Sequence, residues 1–306
     1  MKIALTGATG FVGGHVLDRL VEASHMVNAL ARRPQPARPC VEWIGGDLAD
    51  PAALAALVAG ADAVIHVAGV LNAPDAAGFE AGNVTGTAAL LAAAVCAAAV
   101  CAEVKRFVHV SSLAARQPGL SLYGRSKAQS EELVAASKLA WAIVRPPAVY
   151  GPGDRETLDL FRMAAKGFVL LPPAGRLSLI HVDDLARLLV ALADPAAPGG
   201  LTIEPDDEHP GGYSHTEFAH LLGKAVGRKV LPISTPRPLL ALAARADRFV
   251  RGRNARLTPD RVAYFCHPDW VVDPARDVDP SLWQPRIDTV EGLADTAAGY
   301  RAQGWL

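Results

Sequence analysis

The feature that most constrains the fold of this chain is the run Thr6-Gly-Ala-Thr-Gly-Phe-Val-Gly13, which directly follows a short apolar strand at 2–5. Its three glycines are spaced to build a tight turn from a buried strand into a helix. The first glycine permits the turn, the second lets backbone approach a pyrophosphate, and the third lets the helix pack closely on the sheet. The helix predicted at 11–22 then offers N–H groups to the phosphates of a dinucleotide.

Strand and helix patterns alternate through the first half of the chain. Strands are predicted at 2–5, 26–31, 41–44, 63–67, 105–110 and 141–145, and helices at 11–22, 51–59, 84–102 and 123–138. Such alternation predicts an α/β fold with a doubly wound parallel sheet of the Rossmann type. We expect residues 1–150, with 176–205 returning to them, to form the dinucleotide-binding domain. Residues 151–175 and 206–306 are expected to form a smaller C-terminal substrate lobe.

A second motif, Tyr123-Gly-Arg-Ser-Lys127, begins the last predicted helix of this half. Because residues four apart share one helix face, the phenol of Tyr123 and the ammonium of Lys127 point the same way. A nearby cation favours a phenolate, so we expect Lys127 to lower the pKa of Tyr123 from about 10 toward working pH. Upstream, a buried strand ends in Ser111 and Ser112, where a serine can hydrogen-bond a substrate carbonyl. Ser111 takes the place of Ser112 if the strand register shifts by one residue.

The glycine run, the serine and the Tyr-x-x-x-Lys motif, in this order, resemble the short-chain dehydrogenase/reductase superfamily. The form of the glycine run resembles the extended, epimerase/dehydratase-like branch. Further segments typical of that branch are His66-Val-Ala-Gly69, Asn83-Val-Thr-Gly-Thr87, Arg145-Pro-Pro-Ala-Val-Tyr-Gly-Pro-Gly-Asp154, Ile180-His-Val-Asp-Asp-Leu185, and Trp283-Gln-Pro285 followed by Glu291-Gly-Leu293. The resemblance covers nearly all of the chain. It implies an NAD(P)-dependent oxidoreductase in which Tyr123 is the acid/base, Lys127 also binds the nicotinamide ribose, and Ser112 holds the reacting oxygen.

The resemblance also implies which residues hold the cofactor. These are Gly7, Thr9, Gly10, Phe11, Val12 and Gly13 in the turn, Arg32 and Arg33 after the second strand, Asp47 and Leu48 near the adenine, Val67, Ala68, Gly69 and Asn83 after the fourth strand, Ser111, Tyr123 and Lys127, and Pro146, Ala148 and Val149 beside the nicotinamide. A helix-capping role is the alternative interpretation for Asp47 and for Asn83.

The end of the second strand bears on the choice of cofactor. A carboxylate there would hydrogen-bond the ribose 2′-hydroxyl of NAD, but Ala31 and Arg32 occupy the corresponding positions. Two guanidinium groups, on Arg32 and Arg33, suit a 2′-phosphate instead, although a solvated basic turn is the alternative. We therefore expect NADP(H) to be preferred, with NAD(H) as the other possibility.

Three functions are compatible with these motifs. The basic pair after the second strand favours NADPH-dependent reduction of a small carbonyl, or the reverse alcohol oxidation. A nucleotide-sugar epimerase or dehydratase has the same architecture. A dehydratase, however, usually has an acidic residue just after the catalytic serine, and Leu113-Ala-Ala115 after Ser112 supplies none. A non-catalytic dinucleotide-binding sensor or assembly protein is the third, but such proteins tend to lose the tyrosine or the lysine.

Composition limits the partners that we expect. The net charge of −1 shows no basic excess for binding nucleic acid or an anionic membrane. The four cysteines have no metal or redox spacing, and the first strand begins too early for a signal peptide, so we expect a cytoplasmic protein without a metal. The uncharged run 88–102 is too short for a membrane span. By resemblance, we expect a homodimer through helices 84–102 and 123–138.

Overall fold

The computed structural model describes residues 1–101, 104–252, 255 and 257–306, and the last residue of the predicted helix 84–102 lies outside them. The strands in the described residues are β1 (Lys2–Thr6), β2 (Met26–Ala31), β3 (Val41–Gly45), β4 (Ala63–His66), β5 (Arg106–Val110), β6 (Ala140–Val144), β7 (Ala148–Tyr150), β8 (Phe168–Leu171), β9 (Arg176–Leu177), β10 (Leu179–His181), β11 (Leu201–Ile203), β12 (Tyr213–Ser214), β13 (Leu231–Ser234) and β14 (Asp269–Trp270).

The α-helices of the same residues are α1 (Phe11–Glu22), α2 (Pro51–Val58), α3 (Ala76–Phe79), α4 (Gly86–Cys101), α5 (Leu122–Ala135), α6 (Leu158–Ala165), α7 (Val182–Leu192), α8 (His215–Val226), α9 (Arg237–Arg251), α10 (Pro259–Phe265) and α11 (Thr289–Ala302). A π-helical turn, Glu80–Thr85, joins α3 to α4. Residues 84 and 85, where the predicted helix 84–102 begins, belong to this turn, and α4 itself begins at Gly86. Helix α5 ends before the predicted residue 138, because the chain turns there toward β6.

Unit 1 comprises Met1–Pro146, Leu185–Glu204 and Arg276–Gln284. Its seven-stranded sheet, within the described residues, has the order β11-β6-β5-β4-β1-β2-β3, and the strands pair in parallel. The strand order reverses between β1 and β4, the point where ligands bind in open parallel sheets. The predicted doubly wound α/β fold is confirmed.

The core of unit 1 explains why its strands are apolar along their whole length. Ile3, Ala4 and Leu5 of β1 are completely buried, as expected for parallel strands covered on both faces. Helices α2 and α4 supply Leu54, Leu57, Leu90, Leu91 and Ala94 to one core cluster. Among the described residues, the helical run Ala76–Val100 is long and apolar enough to span a membrane, but a core helix passes the same test. Its buried leucines fit the core interpretation.

Unit 2 comprises Pro147–Asp184, Pro205–Ala275 and Pro285–Leu306. Its core is formed mainly by α6, α8 and α11, where Phe161 packs edge-on against Tyr300 and Leu222 is fully buried. The segment that returns to unit 1 is shorter than the predicted 176–205. Residues 176–184 stay in unit 2, because β9 pairs with β12 and β14 and β10 pairs with β7. Residues 276–284, which were assigned to the lobe, belong to unit 1 instead.

Candidate active site

The glycine turn between β1 and α1 leaves no room for side chains at two of its three glycines. Gly7 has a φ of +78°, and a Cβ on it would lie 2.8 Å from the amide nitrogen of Ala68. A Cβ on Gly13 would lie 2.0 Å from the carbonyl oxygen of Gly7. Gly10 donates its N–H to that same carbonyl at 2.9 Å and is the N-cap residue of α1. The turn therefore requires glycine for steric reasons.

The N-terminus of α1 fits a phosphate group. Gly10 brings no side-chain cap, and the first turn of the helix carries no acidic residue. A helix begun this way presents backbone N–H groups and the positive end of its dipole without a competing carboxylate. Together with the close glycine backbone, these features fit the pyrophosphate of a dinucleotide, which Thr9, Phe11 and Val12 would flank.

A groove of about 340 Å³ lies beside this turn, lined by Thr9 on one side and by residues 35–38 on the other. Arg32 and Arg33, directly after β2, are both exposed. Arg38, which sequence reasoning missed, is paired with Asp18 of α1 at 2.8 Å. Arg38 lies only a few residues after Arg32 and Arg33 and carries the same positive charge. This shared charge was the sequence signal that could have identified it as a third arginine near the cofactor. The groove, with Arg38 in its lining and Arg32 and Arg33 nearby in sequence, can hold the adenosine end of the cofactor.

Asp47 and Leu48 follow β3. The carboxylate of Asp47 accepts a hydrogen bond from the N–H of Ala49 at 2.8 Å, whereas α2 is capped by Asp50. The helix-capping alternative for Asp47 is therefore wrong. Leu48 packs against the unit 1 core and contacts the start of α4, where a Cβ on Gly86 would lie 2.8 Å from its Cδ1 atom.

The loop after β4 is held by two buried side chains. The N–H of Ala68 donates to the hydroxyl of Thr6 at 3.2 Å. Asn83, in the π-helical turn, accepts from the N–H of Val70 at 2.6 Å and donates to its carbonyl oxygen at 3.0 Å. Its amide also donates to the hydroxyl of Ser126 at 2.9 Å. Asn83 therefore ties the loop that includes Val67 and Gly69 to helix α5.

Tyr123 lies at the beginning of α5, where Ser121 caps the helix by accepting from the N–H of Gly124 at 2.9 Å. The tyrosine is half-buried, with its ring 6.3 Å from that of Phe79. A Cβ on Gly124 would lie 2.6 Å from the carbonyl oxygen of Ala114, two residues after Ser112. The serine segment and the tyrosine helix thus pack in direct contact.

Lys127 is one helical turn after Tyr123 and is 4 % exposed. Its ammonium donates to the carbonyl oxygen of Val110, the last residue of β5, at 2.7 Å. Burial lowers the pKa of Lys127 to about 8, against the opposing effect of the Glu131 carboxylate. Because this pKa is above neutrality, the lysine is mainly cationic at pH 7. A Cβ on Gly69 would lie 3.9 Å from the ammonium, so the cation reaches the loop after β4.

The two serines have different partners. Ser111 donates its hydroxyl to the carboxylate of Glu131 at 2.5 Å. Ser112 accepts from the N–H of Ala114 at 3.2 Å and begins the 3₁₀ turn Leu113–Arg116. A hydroxyl that accepts in this way still has its hydrogen to donate. Ser112 therefore suits a substrate carbonyl better than Ser111 does. Pro146 lies beside this segment and accepts from the N–H of Leu113 at 3.2 Å.

A buried network of ion pairs, which the sequence did not reveal, lies behind Ser111. Arg145 donates from Nε and Nη2 to Glu131 at 2.9 and 2.6 Å, and from Nη1 to Glu204 at 3.2 Å. Arg116 also donates to Glu204, at 3.0 Å. Although burial lowers the pKa of Arg145, its hydrogen bonds and charge interactions with the two glutamates raise it overall. The network fixes the end of β6 and the carboxylate that holds Ser111.

Two stacked histidines lie below the site, on β4 and β5, with ring centroids 5.3 Å apart. His66 bridges the hydroxyls of Thr6 and Thr87 at 2.7 and 2.9 Å. Burial and the nearby Lys127 lower the pKa of His66 to about 3 and that of His109 well below its ordinary value. Both rings are therefore neutral at physiological pH and act as hydrogen-bonding links between strands and helices.

Most of the residues predicted for the site belong to unit 1. The exceptions are Ala148 and Val149, which lie on β7 of unit 2 and pair with Leu179 and Ile180 of β10. Within unit 1, the predicted residues all stand at or just after the carboxyl ends of β1 to β6, or at the starts of the helices that follow. This placement fits a dinucleotide along the edge of the sheet.

A family model described as NAD(P)H-binding matches residues 7–195, more than half of the chain. The chain belongs to the extended short-chain dehydrogenase/reductases. Ceramide reductase from Caulobacter vibrioides is 38% identical, and the match covers 99% of this chain and 96% of that reductase. 2-Alkyl-3-oxoalkanoate reductase from Stenotrophomonas maltophilia is 31% identical, with 99% and 100% covered.

A solved structure of MoeE5 in complex with UDP-glucose and NAD has a TM-score of 0.75 to this chain, at 22% identity, and the match covers 99% of each. At this identity the likeness concerns the fold. The family membership and the named reductases indicate that this extended short-chain dehydrogenase/reductase is an NAD(P)-dependent oxidoreductase, as its sequence predicted.

Proposed function

We propose that this enzyme uses NADPH to reduce a ketone in a long-chain, lipid-like substrate. The observation that carries the proposal is the pairing of a half-buried Tyr123 with a buried, cationic Lys127 at the sheet edge, in a chain similar over 99% of its length to a ceramide reductase. The second reductase named above acts, by its name, on a 3-oxoalkanoate with an alkyl branch. The first name denotes a lipid substrate and the second an alkyl-branched 3-oxo acid, which refines the small carbonyl expected from the sequence.

The proposed chemistry divides the work between cofactor and protein. The nicotinamide, when bound, supplies the hydride. Ser112 donates a hydrogen bond to the ketone oxygen, and Tyr123 gives that oxygen its proton as the alkoxide forms. The positive charge of Lys127 stabilises the phenolate left on Tyr123. Arg32 and Arg33, with no carboxylate at the end of β2, support the preference for NADPH.

The quaternary structure and location are further parts of the proposal. By family resemblance we propose a cytoplasmic homodimer through α4 and α5. In support, the side of α4 that carries Ala92, Cys96 and Ala99 is exposed and made of small residues, which permit close helix packing.

The test is the substitution Tyr123→Phe, which removes only the phenol oxygen. We expect kcat for NADPH-dependent reduction of a 3-oxoacyl compound to fall by about 10²–10⁴-fold, the usual contribution of a positioned proton donor. NADPH affinity, measured by fluorescence titration, should stay within about threefold, because the change leaves the glycine turn and the arginines after β2 untouched. Tyr264→Phe is the matched control, because it removes a phenol from α10 of unit 2, which carries none of the predicted catalytic residues. A Tyr123→Phe enzyme with undiminished kcat would contradict the proposal.

A further inference from the structure

Helix α9 in unit 2 exposes an unusual apolar surface. Six of the twelve large hydrophobic side chains that are exposed in the described part of the chain fall within residues 231–250. Four of them lie on α9, with exposed fractions of 57% for Leu239, 62% for Leu242, 92% for Phe249 and 79% for Val250. Such a concentration is more than the scattered exposed leucines of an ordinary surface and marks an interaction site.

The spacing of these residues places them on one side of the helix. Leu239, Leu242 and Phe249 follow one another at intervals of three and seven residues, and Ala246, also exposed, fills the gap between them. The opposite side holds the helix to unit 2. There Ala244 is completely buried, and Asp247 accepts a hydrogen bond from the N–H of Leu257 at 2.9 Å. The outward side of α9 is therefore the apolar one, which reverses the usual pattern of a surface helix.

Arginines lie beside and opposite this apolar face: helical spacing places Arg245 next to Phe249, and Arg237, Arg248 and Arg251 on the side of Ala244. The helix carries Arg237, Arg245, Arg248 and Arg251 against a single acidic residue, Asp247. All four arginines are exposed, and Arg251 lies 3.3 Å from the carboxylate of Asp247. Acidic residues elsewhere offset this local excess of positive charge, so the net charge of the whole chain is −1. For this reason the overall composition predicted no anionic membrane partner. An apolar face on a helix whose remaining surface carries arginines is the pattern of helices that lie in a membrane interface.

We propose that the apolar face of the arginine-rich helix α9 docks on an anionic phospholipid surface. The leucines and Phe249 would enter the acyl boundary while the arginines contact phosphate headgroups. The four arginines against one carboxylate make α9 complementary to anionic headgroups, whereas a second copy of the chain would bring a helix of the same net positive charge against it. This inference rests on the proposed function. A long-chain ketone resides in a membrane, so docking there would bring the enzyme to its substrate.

The test measures binding of the full chain to vesicles. We expect the protein to float with vesicles of equal phosphatidylcholine and phosphatidylglycerol, and to float far less with phosphatidylcholine alone or at high salt. The double variant Leu242→Asp and Phe249→Asp should lower the bound fraction on the order of tenfold or more. Met26→Glu, which adds a charge at a residue 53% exposed on β2, is the matched control and should bind as the wild type does.

Activity assays separate the docking from the proposed function. The double variant should reduce a water-soluble, short-chain 3-oxo ester at the wild-type rate and lose activity only on a long-chain ketone embedded in the vesicles. If the protein floats but reduces neither compound, the proposed reaction fails while the docking stands. Wild-type protein that stays unbound at low salt would overturn the docking. So would a dimer that the double variant converts to monomers, because the face would then be covered by a second copy.

Discussion

Replacing Lys127 by methionine should stabilise the folded protein at neutral pH while destroying its activity. The ammonium is buried, and burial lowers its pKa from 10.5 to about 8. At pH 7 the lysine is protonated in both the folded and the unfolded chain, so folding buries a charge. The difference between the two pKa values corresponds to roughly 3 kcal/mol of lost folding free energy. Methionine avoids this loss, but it leaves the carbonyl oxygen of Val110 without its donor, which costs about 1–2 kcal/mol.

The sign of the pH dependence follows from these two pKa values. Between about pH 8 and 10.5 the unfolded chain binds more protons at Lys127 than the folded chain does. The stability of the wild type should therefore rise through this range relative to the methionine variant. The advantage of Lys127→Met, about 1–2 kcal/mol at pH 7, should shrink by roughly 2 kcal/mol by pH 10 and so vanish or change sign.

Urea unfolding of the cofactor-free proteins at pH 7 and pH 10 measures this difference. Lys105→Met is the matched control, because Lys105 is an exposed lysine just before β5. The stability difference of this control should be nearly independent of pH. If the difference between wild type and Lys127→Met is also the same at both pH values, Lys127 is not buried as a cation, and the reasoning about its role fails.

Two further predictions concern the cofactor site. Gly13→Ala should abolish NADPH binding and destabilise the fold by about 2–4 kcal/mol, because its Cβ would lie 2.0 Å from the carbonyl oxygen of Gly7. Gly14→Ala should be tolerated in the same binding and unfolding assays, since its Cβ would lie no nearer than 3.8 Å to its neighbours. Arg32→Asp should shift the ratio of kcat/KM for NADPH over NADH by about 10²-fold toward NADH, since a carboxylate suits a free 2′-hydroxyl. An unchanged ratio would show that Arg32 does not meet the cofactor's adenosine ribose.

The sequence predicted those features that depend on neighbouring residues. The glycine turn, the strand that precedes it and helix α1 are defined by local steric and dipolar requirements, and α1 has the predicted bounds 11–22. Tyr123 and Lys127 are four residues apart on one helix, so their shared direction needed no knowledge of the fold.

Features that depend on distant segments could not be predicted in this way. Glu204 meets Arg145 across 59 positions of sequence, and no local pattern joins them. The returning segment of unit 1 begins at Leu185 rather than at the predicted residue 176, because strands as short as β9 and β10 are assigned by their pairing partners, which single-sequence patterns do not reveal. The composition of α9 was visible in the sequence, but that its apolar side faces outward is a property of the packing in unit 2.

Tracing the hydride tests the central claim most directly. With NADPH carrying deuterium at C4 of the nicotinamide, and a long-chain 3-oxo substrate, mass spectrometry of the alcohol product should show one deuterium on the carbinol carbon. One oxidised cofactor should be released for each alcohol formed. Substrate that changes its stereochemistry without gaining deuterium, together with a cofactor that stays bound and is not consumed, would instead show internal hydride return. That result would contradict the assignment of this enzyme as a ketone reductase.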